Sequence, residues 1–191
     1  MTLLALSVAQ LGQGLRARAF TAEEVARAAL DRIAALDGAV HAFIRVDAKA
    51  ALAAARQADA ELRAGRDRGP LHGIPYASKD IFDIAGLPTT CQSRLRLDHV
   101  AAADAAVTQR LRDGGAVLLG KLATFEFALG GTSFDLPFPP ARNPWNLAHI
   151  PGGSSSGSAA AVAAGFLRFA TASCTSGSIR GPAAWCGAVG L

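Results

Sequence analysis

At 191 residues, 51% hydrophobic and 18% charged, the chain can bury a sizeable core, which excludes a disordered polar polypeptide. Its net charge of +4 comes from scattered arginines with no basic block, which points away from nucleic acid. Cys91, Cys174 and Cys186 lack metal-ligand spacing and suit reduced thiols. The N-terminus has no secretory pattern, and the apolar run 158–167 is too short to span a bilayer, so a cytoplasmic protein free of membrane is expected.

In chain order, residues 3–11 (LLALSVAQL) suggest a short amphipathic helix stopped by Gly12 and Gly14. Thr21 and Glu24 form a capping box, and Val25, Ala28, Ala29, Arg32, Ile33 and Leu36 follow helical spacing up to Gly38. Residues 40–46 read as extended. Residues 47–64 read as an alanine-rich helix capped by Asp47 and stopped by Gly65. Turn signals at Gly69-Pro70 and Gly73-Ile74-Pro75 precede a strand-like stretch, 76–85. A helix over 104–113 ends at Gly114-Gly115, and 116–121 (AVLLGK) has the continuous apolar character of a strand buried on both faces. Phe125–Gly131 reads as a short helical or turn piece and 132–151 as a Pro- and Asn-rich loop. Helix followed by buried strand is the order of an α/β sandwich.

Three stretches carry chemistry. Lys79, in GIPYASKDIF, follows a Pro-punctuated apolar strand. It is either a solvated surface charge or a buried amine. A free lysine titrates near 10.4, so a neutral amine at pH 7 costs about 4.6 kcal/mol, which burial can offset. Asp80 opposes that shift only if it touches Lys79, and strand neighbours point to opposite faces. Gly152–Ser158 (GGSSSGS) reads as a linker, as a phosphate loop lacking its lysine, or as a turn whose backbone donors receive an anion. Thr175–Arg180 (TSGSIR) offers successive backbone donors around Gly177. His41, His72, His99 and His149 are dispersed, so a hydrolase here would need lysine as its base.

Together GIPYASKDIFDIAGLPTT, ARNPWNLAHIPGGSSSGSAAAVAAG and SGSIRGPAAWCGAVGL resemble the amidase signature family, in order and in spacing. The resemblance implies an α/β/α sandwich around a mixed sheet, incomplete at the C-terminus. The chain is then the N-terminal portion of one amidase domain, with a helical segment (1–65) and a catalytic core (69–191). It implies hydrolysis of a carboxylic amide through an acyl-enzyme, without metal or cofactor. Lys79 would be the neutral base and Ser154 the relay, after a cis peptide with Gly153. Ser178 would be the nucleophile. The amides of Thr175, Ser176, Gly177 and Ser178 would form the oxyanion hole, with Ser155 and Arg180 in support. The partner would be a small-molecule amide, and further possibilities are a homodimer or an amidotransferase-type partner subunit. The alternatives are a catalytically impaired remnant and a glutamyl-tRNA amidotransferase A-type subunit.

The family pattern Gly-Thr-Asp-x-Gly-Gly-Ser reads Ala-Ser-Cys-Thr-Ser-Gly-Ser over residues 172–178 here, and two of the changes bear on the site. Cys174 stands at the Asp and Ser176 at a Gly. The first change predicts a buried Arg180 left unpaired, at about 3–5 kcal/mol. The second predicts a serine forced to positive φ, at about 1–2 kcal/mol.

Overall fold

In the computed structural model, which describes residues 2–191, a four-stranded mixed sheet forms the centre of an α/β fold. Its strands are β1 (Phe43–Val46), β2 (Pro75–Lys79), β3 (Val117–Leu122) and β4 (Ala170–Thr171), in the order β1-β3-β2-β4. β2 runs parallel to both its neighbours, whereas β1 is antiparallel to β3. A strand hydrogen-bonded on both edges and covered by helices has no wet side, and all five residues of β2 are buried.

The helices are α1 (Val8–Arg16), α2 (Ala22–Val40), α3 (Ala48–Arg63), α4 (Ala106–Asp113), α5 (Ser156–Ala163) and α6 (Arg180–Cys186). α2 begins at the Thr21–Glu24 capping box and α3 at Asp47, whose carboxylate accepts from the Ala50 N–H. Their alanine-rich faces meet, placing Ala26, Ala29, Ala51, Ala55 and Ala58 in one core with Ile74, Ala77, Val117, Leu119 and Leu122 of the sheet. Small side chains let these backbones approach closely.

Several boundaries differ from expectation. The first helix starts later, at Ser7, whose hydroxyl and Gln10 make a second capping box, and Gly12 and Gly14 lie inside it. Gly14 serves packing, since a Cβ there would come within 2.2 Å of the Phe20 ring. α2 continues past Gly38 to Val40 and ends on a left-handed His41. The strand expected over 40–46 is confined to 43–46. That expected over 76–85 covers 75–79, because the chain turns at Asp80.

α5 is built only of small residues and valine (SGSAAAVA), and it presses onto the sheet. A Cβ on Gly157 would meet Ala42 O at 2.4 Å and Ala123 N at 2.5 Å. These are backbone atoms with no freedom to move aside. Gly157→Ala is therefore expected to destabilise the fold by about 1–3 kcal/mol, as overpacked sites do, in urea unfolding.

Candidate active site

Lys79 is the last residue of β2 and is 0% exposed. The turn after it sends its neighbour the other way. Asp80 Oδ1 pairs with Lys121 Nζ at 2.8 Å, and its other oxygen accepts from the Thr90 N–H and hydroxyl. With its adjacent carboxylate occupied elsewhere, Lys79 Nζ meets hydroxyls alone. It lies 2.8 Å from Ser154 Oγ, 3.0 Å from Ser155 Oγ and 2.9 Å from Ser173 Oγ. Burial pushes its pKa down from 10.5 to about 8, with charge at Cys174 acting in the opposite direction.

The Gly/Ser turn holds Ser154 and Ser155 in place from several sides. The Gly153–Ser154 peptide is cis. The Ser154 carbonyl accepts from the Phe125 N–H at 3.1 Å and the Thr124 hydroxyl at 3.0 Å. Ser158 donates to Thr171 O at 2.8 Å and ties α5 to β4, while Thr171 Oγ1 accepts from the Lys79 N–H at 3.1 Å. Ser154, Lys79 and the strand edge thus share one hydrogen-bonded frame. Of the sequence alternatives for Gly152–Ser158, the linker does not fit, because Gly152 and Ser154–Ser158 are buried.

Ser178 reaches this frame through its main chain, its carbonyl accepting from the Ser155 N–H at 3.2 Å. Among the described residues its hydroxyl makes no hydrogen bond to Ser154. The N–H groups of Thr175, Ser176 and Ser178 donate to no protein acceptor among them either. Gly177 has φ of +148°, a conformation suited to glycine, whereas Ser176 is absent from the positive-φ residues. The strain expected at Ser176 is therefore corrected: Gly177 takes the unusual backbone angle.

The expectation for Arg180 is corrected as well. Arg180 is exposed, not buried, and its guanidinium donates to Cys174 Sγ at 3.6 Å. The Cys174 thiol is drawn below its ordinary pKa, first by the Ile179 N–H, then by the Gly177 N–H and the Arg180 charge. Cysteine thus meets arginine where the family pattern has aspartate, and no buried charge is stranded.

Sequence reasoning missed Ser173 and the Asp80–Lys121 pair. Lys121 had one signal, a lysine embedded in the apolar run AVLLGKLA, which a solvated charge would interrupt. Ser173 had one only in the pattern, where it keeps the hydroxyl of the family's Thr; its partner lies 94 residues away, beyond any local spacing.

The fold defines an α/β protein whose inner strand ends in a lysine buried among serines. The family model for Amidase matches residues 24–191, and the chain belongs to the amidase family. It is 52% identical over 188 residues to the A subunit of the glutamyl-tRNA(Gln) amidotransferase of Acidothermus cellulolyticus, covering 98% of this chain and 37% of that protein. The Thermobifida fusca protein of the same name is 48% identical over 188 residues, covering 98% and 38%. The native peptide amidase from Stenotrophomonas maltophilia superposes with a TM-score of 0.87 at 40% identity, over 93% of this chain and 38% of that one. The chain spans under two fifths of the length of these proteins. Among the described residues no helix is long and apolar enough to cross a membrane.

Proposed function

We propose that this chain carries the catalytic core of an amidase that cleaves a carboxylic amide through a Ser178 acyl-enzyme. The observation that carries the reading is the contact of Lys79 Nζ with Ser154 Oγ at 2.8 Å inside a charge-poor, buried cluster. A neutral Lys79 takes the proton of Ser154, which takes that of Ser178 as its oxygen attacks the carbonyl carbon. The main-chain N–H groups of Thr175, Ser176, Gly177 and Ser178 receive the oxyanion, and three of the four have no competing protein acceptor. The proton returns by the same relay to the leaving nitrogen, the C–N bond breaks, and water then cleaves the ester. Ser178 Oγ must approach Ser154 when substrate binds, a tightening common in sites that are loose when empty.

The test is a fluorophosphonate probe on the whole protein. Label on Ser178 that disappears in Ser178→Ala is the expected result; label that survives in that variant overturns the assignment.

The curated relatives favour a narrower form of the same reading. Both are named as amidotransferase A subunits. In that form the amide is the glutamine side chain, and ammonia is passed to a partner subunit in the cytoplasm. A cavity of about 480 Å³ beside β4, with Val162, Phe169, Ile179, Val189 and Leu191 in its wall, offers an apolar seat next to the site. A second copy, a partner subunit or further residues of the same domain would suit that seat. Turnover of simple amides by this protein alone, with no effect of a B-type subunit, would reject the narrower form and leave the hydrolase.

The two costs expected of the impaired-remnant alternative are absent, since Ser176 is free of positive φ and Arg180 has a partner, while the Cys174 and Ser176 changes that suggested it remain.

A further inference from the structure

Lys79 Nζ has three hydroxyls within 3.0 Å, and this number creates a problem for a base. An ammonium has three protons and satisfies three acceptors. A neutral amine has two protons and one lone pair, so one contact must reverse and a hydroxyl must donate to nitrogen. The hydroxyl that reverses decides where the base points.

Ser155 cannot reverse. Its hydroxyl donates to Ser173 O at 3.2 Å and accepts from the Ser173 N–H at 3.4 Å, so it meets the amine only as an acceptor. Ser154 and Ser173 remain. Ser154 is 2% exposed, and Lys79 is the only hydrogen-bond partner of its hydroxyl among the described residues. A buried hydroxyl proton without an acceptor is costly, so Ser154 donates into the lone pair. Ser173 is only partly buried and can give its proton to water, which leaves its oxygen to accept.

We infer that Ser173, acting with Ser155, takes the two N–H groups of neutral Lys79 and so holds the lone pair on the relay serine. Ser173 is a positioning residue, and the inference rests on the amidase reading above. Without it, the second N–H of the amine would find its nearest acceptor in Ser154, and the lone pair would face away from the proton it has to take.

The test compares Ser173→Ala, Ser173→Thr and Ser173→Val in the whole protein. Two readouts are followed: kcat and KM for an amide across pH, and titration of Lys79 by NMR of labelled lysine. Ser173→Ala is expected to lower the alkaline plateau of kcat by roughly tenfold or more, with KM within about twofold. It should also move the Lys79 midpoint down by about half a pH unit, because the ammonium loses an acceptor that it uses fully. Threonine restores both. Valine, which has the shape of threonine without the hydroxyl, does not. Equal plateau kcat in the Thr and Val variants overturns the inference, and so does a Lys79 midpoint unchanged by Ser173→Ala. A wild-type protein without amide turnover would sink the amidase reading instead, and the Lys79 titration would then decide the Ser173 contact by itself.

Discussion

Replacing Lys79 by methionine is expected to lower kcat for amide hydrolysis by roughly 10³- to 10⁴-fold while the protein stays folded, because in the proposed mechanism the variant loses the group that accepts the first proton. Methionine fills the slot without charge. In the wild type Lys79 titrates at about 8, so roughly one molecule in ten holds a neutral amine at pH 7. Turnover should therefore climb with pH and level off above the midpoint. The same group also shapes stability. Below pH 8 the folded and unfolded chains both hold the proton, and the full penalty of burying the ammonium is present. Between about 8 and 10.5 the unfolded chain binds more protons, so stability rises with pH across that window. Measured against Lys79→Met, which removes this component, the wild type should gain up to about 3 kcal/mol. Urea unfolding at pH 7.5 and pH 10 checks the difference. Equal slopes for both proteins, or undiminished turnover in the variant, would reject a buried base.

The second large effect lies on the other side of the strand end. Asp80 and Lys121 are 0% and 1% exposed and 2.8 Å apart. Lys121 also donates to Phe82 O at 2.8 Å and to Thr89 Oγ1 at 3.2 Å, so it braces the turn that follows Lys79. Lys121→Met leaves Asp80 as a buried charge whose only remaining side-chain partner among the described residues is Thr90. A loss of about 3–5 kcal/mol is expected in urea unfolding. Combining it with Asp80→Asn should recover most of that loss, since the amide keeps its acceptor for Thr90 without the charge. A single variant costing under about 1 kcal/mol, with no recovery in the double, would show that water already reaches the pair.

Local signals were legible in the sequence. The capping box at Thr21 and Glu24 and the alanine run after Asp47 mark helix starts through contacts within one turn, and both helices begin there. Gly12 and Gly14 mislead because their reason lies outside their own helix: Gly14 leaves room for Phe20. The strand ending at Lys79 looks longer in sequence because Ile81, Phe82 and Ile84 keep it apolar, yet Ile81 and Phe82 fold back to the Lys79 carbonyl. At the candidate site, the resemblance grouped Lys79, Ser154 and Ser178 with Ser155 in support; the structure places Lys79 beside Ser154 and Ser155, while the Ser178 hydroxyl makes no hydrogen bond to Ser154 among the described residues. The Ser176 and Arg180 expectations failed for a different reason. They assumed that a substituted loop keeps the family's burial and backbone angles, whereas Gly177 absorbs the turn and Cys174 accepts from Arg180.

The three hydroxyls around Lys79 follow it by 75, 76 and 94 residues of chain. A ribosome adding about 5–20 residues per second needs roughly 5–19 s to cover the longest of these gaps. β3 is complete by residue 122 and β4 only by residue 171, so β2 gains its β3 edge well before its β4 edge, and until the serines arrive Lys79 is a hydrated ammonium with an ordinary affinity for its proton. Under the proposed mechanism, nucleophilic chemistry is thus deferred until the loop between residues 79 and 173 has closed. On that reading, an unfinished or locally opened chain carries no activated serine with which to react with itself or its neighbours.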